Sequence, residues 1–219
     1  MSWQAGLRQH GVPAALGAAL LFGAGTPLAK LLLANADPWL LAGLLYLGSG
    51  LGLSLYRLAS GAVRPKLARH ELPWLAGAIA AGGVAGPVLL MLGLTSMPVS
   101  GASLLLNAES VFTVLLARFA FQENIDRRIA LGMLAIAVGV AILGWPGQAH
   151  FSGLWPALAV LGACFAWGLD NNLTRKIALT DATWLAAAKG LVAGPVNLAL
   201  ALALGAALPS APPTTGADG

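Results

Sequence analysis

The residues in this chain that can do chemistry lie, for the most part, inside long apolar runs. Glu109 falls at the midpoint of the run Val99 to Phe119, with Asn107 and Ser110 beside it. A carboxylate near the centre of a bilayer is unfavourable by about 2.5–3.5 kcal/mol on insertion scales, so its presence there is a functional hypothesis by default. Two roles fit it: a ligand for a cation, a proton or a substrate amine, or a neutral or paired glutamate that joins helices. Asp170, Asn171 and Asn172 cluster in a later run, and Lys189 lies at similar depth in the next one. An ion pair between Asp170 and Lys189 lowers the cost of burying either charge, and this structural role is the preferred one. Lys30, near the end of the first run, can snorkel to the headgroups. Trp167 lies deep in its run, where helix packing is preferred over the lining of a cavity.

Other chemistries lack their residues. His10, His70 and His150 make no ligand spacing with one another or with Cys164, the single cysteine. That cysteine allows no internal disulfide, thiol metal site or redox pair. The sequence has no phosphate-binding glycine loop, serine elbow or HExxH. No enzyme, cofactor or metal is expected. The loop Gln122 to Arg128 explains itself locally, with Asp126 capping the following helix and Glu123 pairing with an arginine one turn on.

The elements that must position these residues are membrane helices. The chain is 58% hydrophobic and 9% charged, against about 25% charged in soluble domains, and its charges cluster so as to leave runs of about 20 apolar residues, the length that crosses a bilayer. Seven spans are predicted: Val12 to Leu33, Pro38 to Tyr56, Leu72 to Leu94, Val99 to Phe119, Ile129 to Trp145, Gly153 to Leu173 and Ala182 to Ala207. The expected fold is all-α and polytopic, with the lipid bilayer as its surroundings. The first run is too long for a signal-peptide core.

Basic residues in short loops mark the cytoplasmic side. Arg8, Arg57, Arg64, Lys66, Arg69, Arg118, Arg127, Arg128, Arg175 and Lys176 fall on one side, which leaves only Lys30 and Lys189 of the 12 lysines and arginines elsewhere. The amino terminus is therefore expected in the cytoplasm and the carboxyl terminus outside it. This asymmetry also accounts for the net charge of +4 without a nucleic-acid partner. Trp39, Trp74, Trp145, Trp155 and Trp184 lie near span ends and read as interfacial belt residues.

The first span has an echo. Leu16, Gly17, Ala18, Gly23, Leu28, Trp39, Leu40 and Ala42 recur as Leu161, Gly162, Ala163, Gly168, Leu173, Trp184, Leu185 and Ala187, each 145 residues on. Phe22 meets Trp167, and Lys30 meets Arg175, which permits a second view of that pair as attracting an anionic substrate from opposite sides. Five spans separate the copies, so the echo crosses the membrane in the opposite sense, as in the inverted repeats of transporters. Glycines four apart, Gly48 with Gly52, Gly82 with Gly86 and Gly190 with Gly194, invite close helix contact. Gly82, Gly83, Gly86 and Pro87 together predict a kink in the third span.

These features resemble the EamA-type permeases of the drug/metabolite transporter superfamily. The likeness is carried by "SLLLNAESVFTVLLARFAFQENIDRRIALGMLAIAVGVAILGW" from Ser103 to Trp145, which looks like the family's fourth and fifth helices, and by "LLFGAGTPLAKLLL" with its echo "FAWGLDNNLTRKIAL". The resemblance implies ten helices in two inverted five-helix repeats, and secondary transport, often export, of small metabolites such as amino acids or drugs across a bacterial inner membrane by alternating access. On that pattern residues 12–145 are a first repeat, 153–207 begin a second that lacks three helices, and 208–219, "PSAPPTTGADG" after Leu208, are a disordered tail. The candidate substrate or ion site comprises Glu109, Asn107, Lys30, Asp170, Asn171, Trp167 and Lys189. Partners would be a small molecule, a coupling proton or cation, and either a dimer mate or another chain that supplies the missing helices. The alternative expectation is a transport-incompetent fragment acting as a structural or assembly partner.

Overall fold

In the computed structural model, which describes residues 11–63, 65, 67–124, 126–144, 154–177 and 181–206, the seven predicted spans correspond to seven helical rods. They are α1 (Gly11–Leu32), α2 (Pro38–Ala59), α3 (Arg69–Ser96), α4 (Val99–Phe119), α5 (Arg127–Gly144), α6 (Leu154–Arg175) and α7 (Ala182–Ala203). By length and composition α2, α3, α4 and α7 are long and apolar enough to cross a membrane, and α1 carries the shorter apolar stretch Leu16–Leu32. The surface is apolar: Leu20, Leu21 and Leu58 are 75%, 78% and 81% exposed, as suits a chain embedded in lipid. The tail from residue 208, the loop Pro146 to Ser152, Trp145 and the Arg8 segment lie outside the described residues.

The most polar rod, α6, is packed on two flanks. It lies antiparallel to α3, Gly93 facing Val160 at one end of the contact and Gly82 facing Asp170 at the other, and its second flank packs on α4. Val160, Ala163 and Cys164 of α6 join Leu90, Met91 and Leu94 of α3 and Ala102 and Leu106 of α4 in the core. Phe112 and Phe165 close the α4–α6 contact edge to face, 5.7 Å between centroids. Enclosure explains how α6 tolerates Asp170 and Asn172, which are buried against protein, while the exposed Asn171 is satisfied by Glu109 and Thr113 of α4.

The second structural unit is the α2–α7 pair. Gly43 packs on Leu198, Leu47 on Gly194, and Gly50 on Gly190, so the two helices run antiparallel in backbone contact. The expected Gly190 and Gly194 lie in this seam. Gly48 and Gly52 do not, having no neighbour within 4 Å of a built Cβ; α2 contributes Gly43 and Gly50 instead. Each helix opens on an aspartate cap. Asp37 accepts from the amides of Trp39 (2.8 Å) and Leu40 (3.2 Å), and Asp181 from those of Thr183 (2.8 Å) and Trp184 (3.4 Å).

The predicted kink in α3 is a π turn. Helix Leu72–Ala78 runs into a wide turn at Ile79–Ala85 before the helix resumes at Gly86–Ser96. Pro87 has no N–H to give the carbonyl of Gly83, and the amide of Gly86 reaches back to Ala81 rather than Gly82. Two carbonyls are thereby released in an apolar interior, and both are satisfied by side chains. Tyr46 (2.6 Å) and Trp167 (3.1 Å) donate to Gly82, and Asn197 (2.9 Å) donates to Gly83.

The echo helices differ in surroundings. Gly168 of α6 is in contact with α4, a built Cβ lying 2.9 Å from the Thr113 amide nitrogen, whereas its counterpart Gly23 in α1 has nothing within 4 Å. Gly168→Ala is therefore expected to destabilise the fold by about 1–3 kcal/mol through overpacking. Gly23→Ala should be neutral or stabilising by up to about 1 kcal/mol, the helix-propensity gain. Chemical unfolding of the two variants in detergent micelles checks the contrast, and equal losses would sink it.

Candidate functional site

Two adjoining, partly open cavities lie between α1 and the α3–α4–α6 core. The larger, about 590 Å³, is bounded by Leu21 and Phe22 of α1, Leu45 and Tyr46 of α2, Met91 of α3 and Trp167 of α6. The smaller, about 430 Å³, is bounded by Thr26, Asn107, Glu109 and Ser110, and it shares Phe22, Thr26 and Leu106 with the first. Both volumes suit a small-molecule site. One lobe is thus aromatic and aliphatic, and the other presents a carboxylate, an amide and hydroxyls.

Local structure explains the polar lobe. α4 is interrupted at Asn107, where helix Val99–Leu106 gives way to helix Ala108–Phe119. The Asn107 side chain donates back to the carbonyls of Ser103 (3.1 Å) and Leu104 (3.2 Å), binding the break from within. Glu109 follows in the first turn of the second segment, where the positive end of the helix dipole favours an anion. Its carboxylate accepts from the Asn171 amide at 3.0 Å, and Asn171 also donates to the Thr113 hydroxyl at 3.2 Å.

The expected site residues divide into two groups. Glu109 and Asn107 line the small lobe, Trp167 lines the large one, and Asn171 orients Glu109. Phe22 and Trp167, matched by the repeat, border the same cavity; Trp167 also serves packing, through its bond to Gly82. Lys30, Asp170 and Lys189 line neither lobe. Lys30 donates to the carbonyls of Leu94 and Thr95 at the end of α3, so it closes a helix terminus in place of snorkelling freely. Asp170 and Lys189 form the expected ion pair between α6 and α7, with the Thr174 hydroxyl 3.0 Å from both. Glu123, expected to pair with an arginine one turn on, is paired instead with Arg175 at the end of α6, 2.6 Å away. Tertiary contact outcompetes the local pair here.

Three contributors escape a reading of the sequence. Tyr46 and Thr26 border the cavity, and Asn197 is fully buried. Their signal was depth alone, a phenol, a hydroxyl and an amide in mid-span.

At the end of the bundle that carries Arg57, Arg118 and Arg175, a third hollow of about 270 Å³ adjoins Arg57, Trp184 and Leu191. The Arg57 guanidinium there is bonded to Asp181, to the Thr183 hydroxyl (2.6 Å) and to the Val63 carbonyl (2.9 Å). The hydrogen bond from Thr183, followed by that from Arg57, holds the Asp181 carboxyl well below the usual carboxylate range. A carboxyl with a depressed folded pKa adds stability above its unfolded value, near 4, and loses it as pH falls through the folded value. The Tm difference between the wild type and Asp181→Asn is therefore expected to stay constant from about pH 8 to 5 and to shrink below about pH 4. A difference that disappears near neutral pH would contradict the arrangement.

The family model for the EamA-like transporter family matches residues 9–145. An uncharacterised transporter of Methanothermobacter thermautotrophicus is 27% identical over 207 residues, covering 86% of this chain and 60% of the relative. A probable amino-acid metabolite efflux pump of Salmonella typhimurium is 33% identical over 85 residues, 37% of this chain and 27% of that protein. A probable 4-amino-4-deoxy-L-arabinose-phosphoundecaprenol flippase subunit of Pseudomonas paraeruginosa is 36% identical over 116 residues, which cover 53% of this chain and 96% of the subunit. The chain thus spans less than two thirds of the first two relatives and nearly the whole of the third.

Proposed function

Because this chain belongs to the EamA-like transporter family, we propose that it carries a small molecule across a bacterial inner membrane by alternating access, with the two-lobed cavity as the holding site. The observation that carries this reading is Glu109, an intramembrane carboxylate bordering a cavity that an apolar lobe continues. Such a charge favours a cargo or coupling ion with a complementary positive charge. Two relatives are named for cargoes that bear an amino group, which supports the same assignment. The basic residues gathered at one end of the bundle support an amino terminus in the cytoplasm, and the inverted echo supports domains at 12–145 and 153–207 that rock against each other.

A second reading is favoured by the open flank of α1. Its Gly17 and Gly23 meet nothing within 4 Å, while Gly162 and Gly168 of the echo helix are packed. In this reading further helices, contributed by a partner chain, complete the carrier, as the word subunit in one relative's name suggests of that protein.

Both readings are tested in proteoliposomes. The wild-type chain, alone or with a partner, is expected to move an amine-bearing metabolite, and Glu109→Gln should lower the rate at least tenfold. Equal rates for the two proteins would sink the assignment of Glu109. Flux only in the presence of a partner would select the second reading.

A further inference from the structure

We propose that the cargo is a monoamine without a free carboxylate, held with its ammonium group against Glu109 and its apolar body in the aromatic lobe; this rests on the transport reading above and narrows it. Charge decides the class. Among the described residues, the basic groups that reach into the bundle are engaged elsewhere. Lys30 is bonded to the Leu94 and Thr95 carbonyls, Lys189 to Asp170 and Thr174, and Arg57 to Asp181, Thr183 and Val63. Glu109 receives only the neutral amide of Asn171, and none of the described residues bordering either lobe is basic. The cavity therefore offers one anion and no cation.

That composition selects between cargo classes. An ammonium group entering the small lobe gains a charge-assisted hydrogen bond to Glu109, with the Ser110 and Thr26 hydroxyls nearby as further acceptors. A zwitterionic amino acid brings its carboxylate into the same space, where no positive side chain receives it and Glu109 repels it; burying such a charge without a partner is strongly unfavourable. A simple carboxylic acid fares worse. The larger lobe, bordered by Leu21, Phe22, Leu45, Tyr46, Met91 and Trp167, takes the apolar remainder, and its aromatic rings favour a body that carries its own ring.

Four probes that share a phenyl ring separate these cases: phenethylamine, phenylalanine, 3-phenylpropionate and phenethyl alcohol, each tested by equilibrium dialysis against the full chain in lipid nanodiscs. Phenethylamine is expected to bind at least tenfold more tightly than the other three. Glu109→Gln should remove that preference and Glu109→Asp should retain it, which separates loss of charge from loss of fold. Trp167→Leu should weaken phenethylamine while leaving methylamine unchanged. Phenylalanine binding as tightly as phenethylamine, or a preference that survives Glu109→Gln, overturns the proposal. Binding or flux of phenylalanine that depends on Glu109 would remove the monoamine class and leave the transport reading standing. Absence of binding by all four, together with absence of flux, removes both.

Discussion

Lys189→Met is expected to cost about 3–5 kcal/mol of stability, because it leaves the Asp170 carboxylate inside the bundle without its counter-charge. The side chains of Lys189 and Asp170 are only 16% and 12% exposed, so solvent cannot replace the lost partner as it would at a surface pair. Asp170 retains the Thr174 hydroxyl alone. The double variant Asp170→Asn/Lys189→Met removes both charges while keeping the shape of the residue that faces Gly82, and it should recover most of the loss. A double-mutant cycle measured by unfolding in micelles reads the coupling directly. Additive losses would show that the two charges do not depend on each other.

Gly190→Val should be comparably damaging for a different reason. A Cβ built at Gly190 lies 2.5 Å from both the Gly50 amide nitrogen and the Tyr46 carbonyl oxygen, so the obstacle is backbone that cannot turn aside. The α2–α7 seam must open along its length, and a loss of about 3 kcal/mol, the upper end of overpacking penalties, is expected. Gly48→Val is the control, since its surroundings are open. A Gly190→Val protein with wild-type stability would falsify the seam as described.

The sequence revealed what depends on composition along a single helix. Seven apolar runs marked the rods, and the need to neutralise two charges at similar depth paired Asp170 with Lys189. Gly86–Pro87 marked the bend in α3, since a missing amide disturbs any helix. Features that depend on which helix arrives opposite were hidden. Spacing by four pointed to Gly48 and Gly52 on α2, but the antiparallel approach of α7 brings the seven-apart Gly43 and Gly50 into the seam. Lys30 found its partners on the end of α3, a destination that no local pattern encodes. The site was half visible for the same reason. Glu109 announces itself by charge, whereas Tyr46 and Asn197 gain their roles only once the π turn has released two carbonyls for them to satisfy.

The π turn also ties parts of the bundle together. Tyr46 and Trp167, which both border the larger lobe, donate to the same carbonyl of Gly82, and Asn197 of α7 holds the next carbonyl along. Three helices are thereby indexed to two consecutive peptide groups of a fourth. The Gly82 oxygen that Trp167 shares with Tyr46 thus belongs at once to the cavity wall and to the bend, and the neighbouring carbonyl belongs to the helix of the seam. Cavity wall, bend and seam therefore meet at a single pair of peptide groups, and a substitution there touches all three at once.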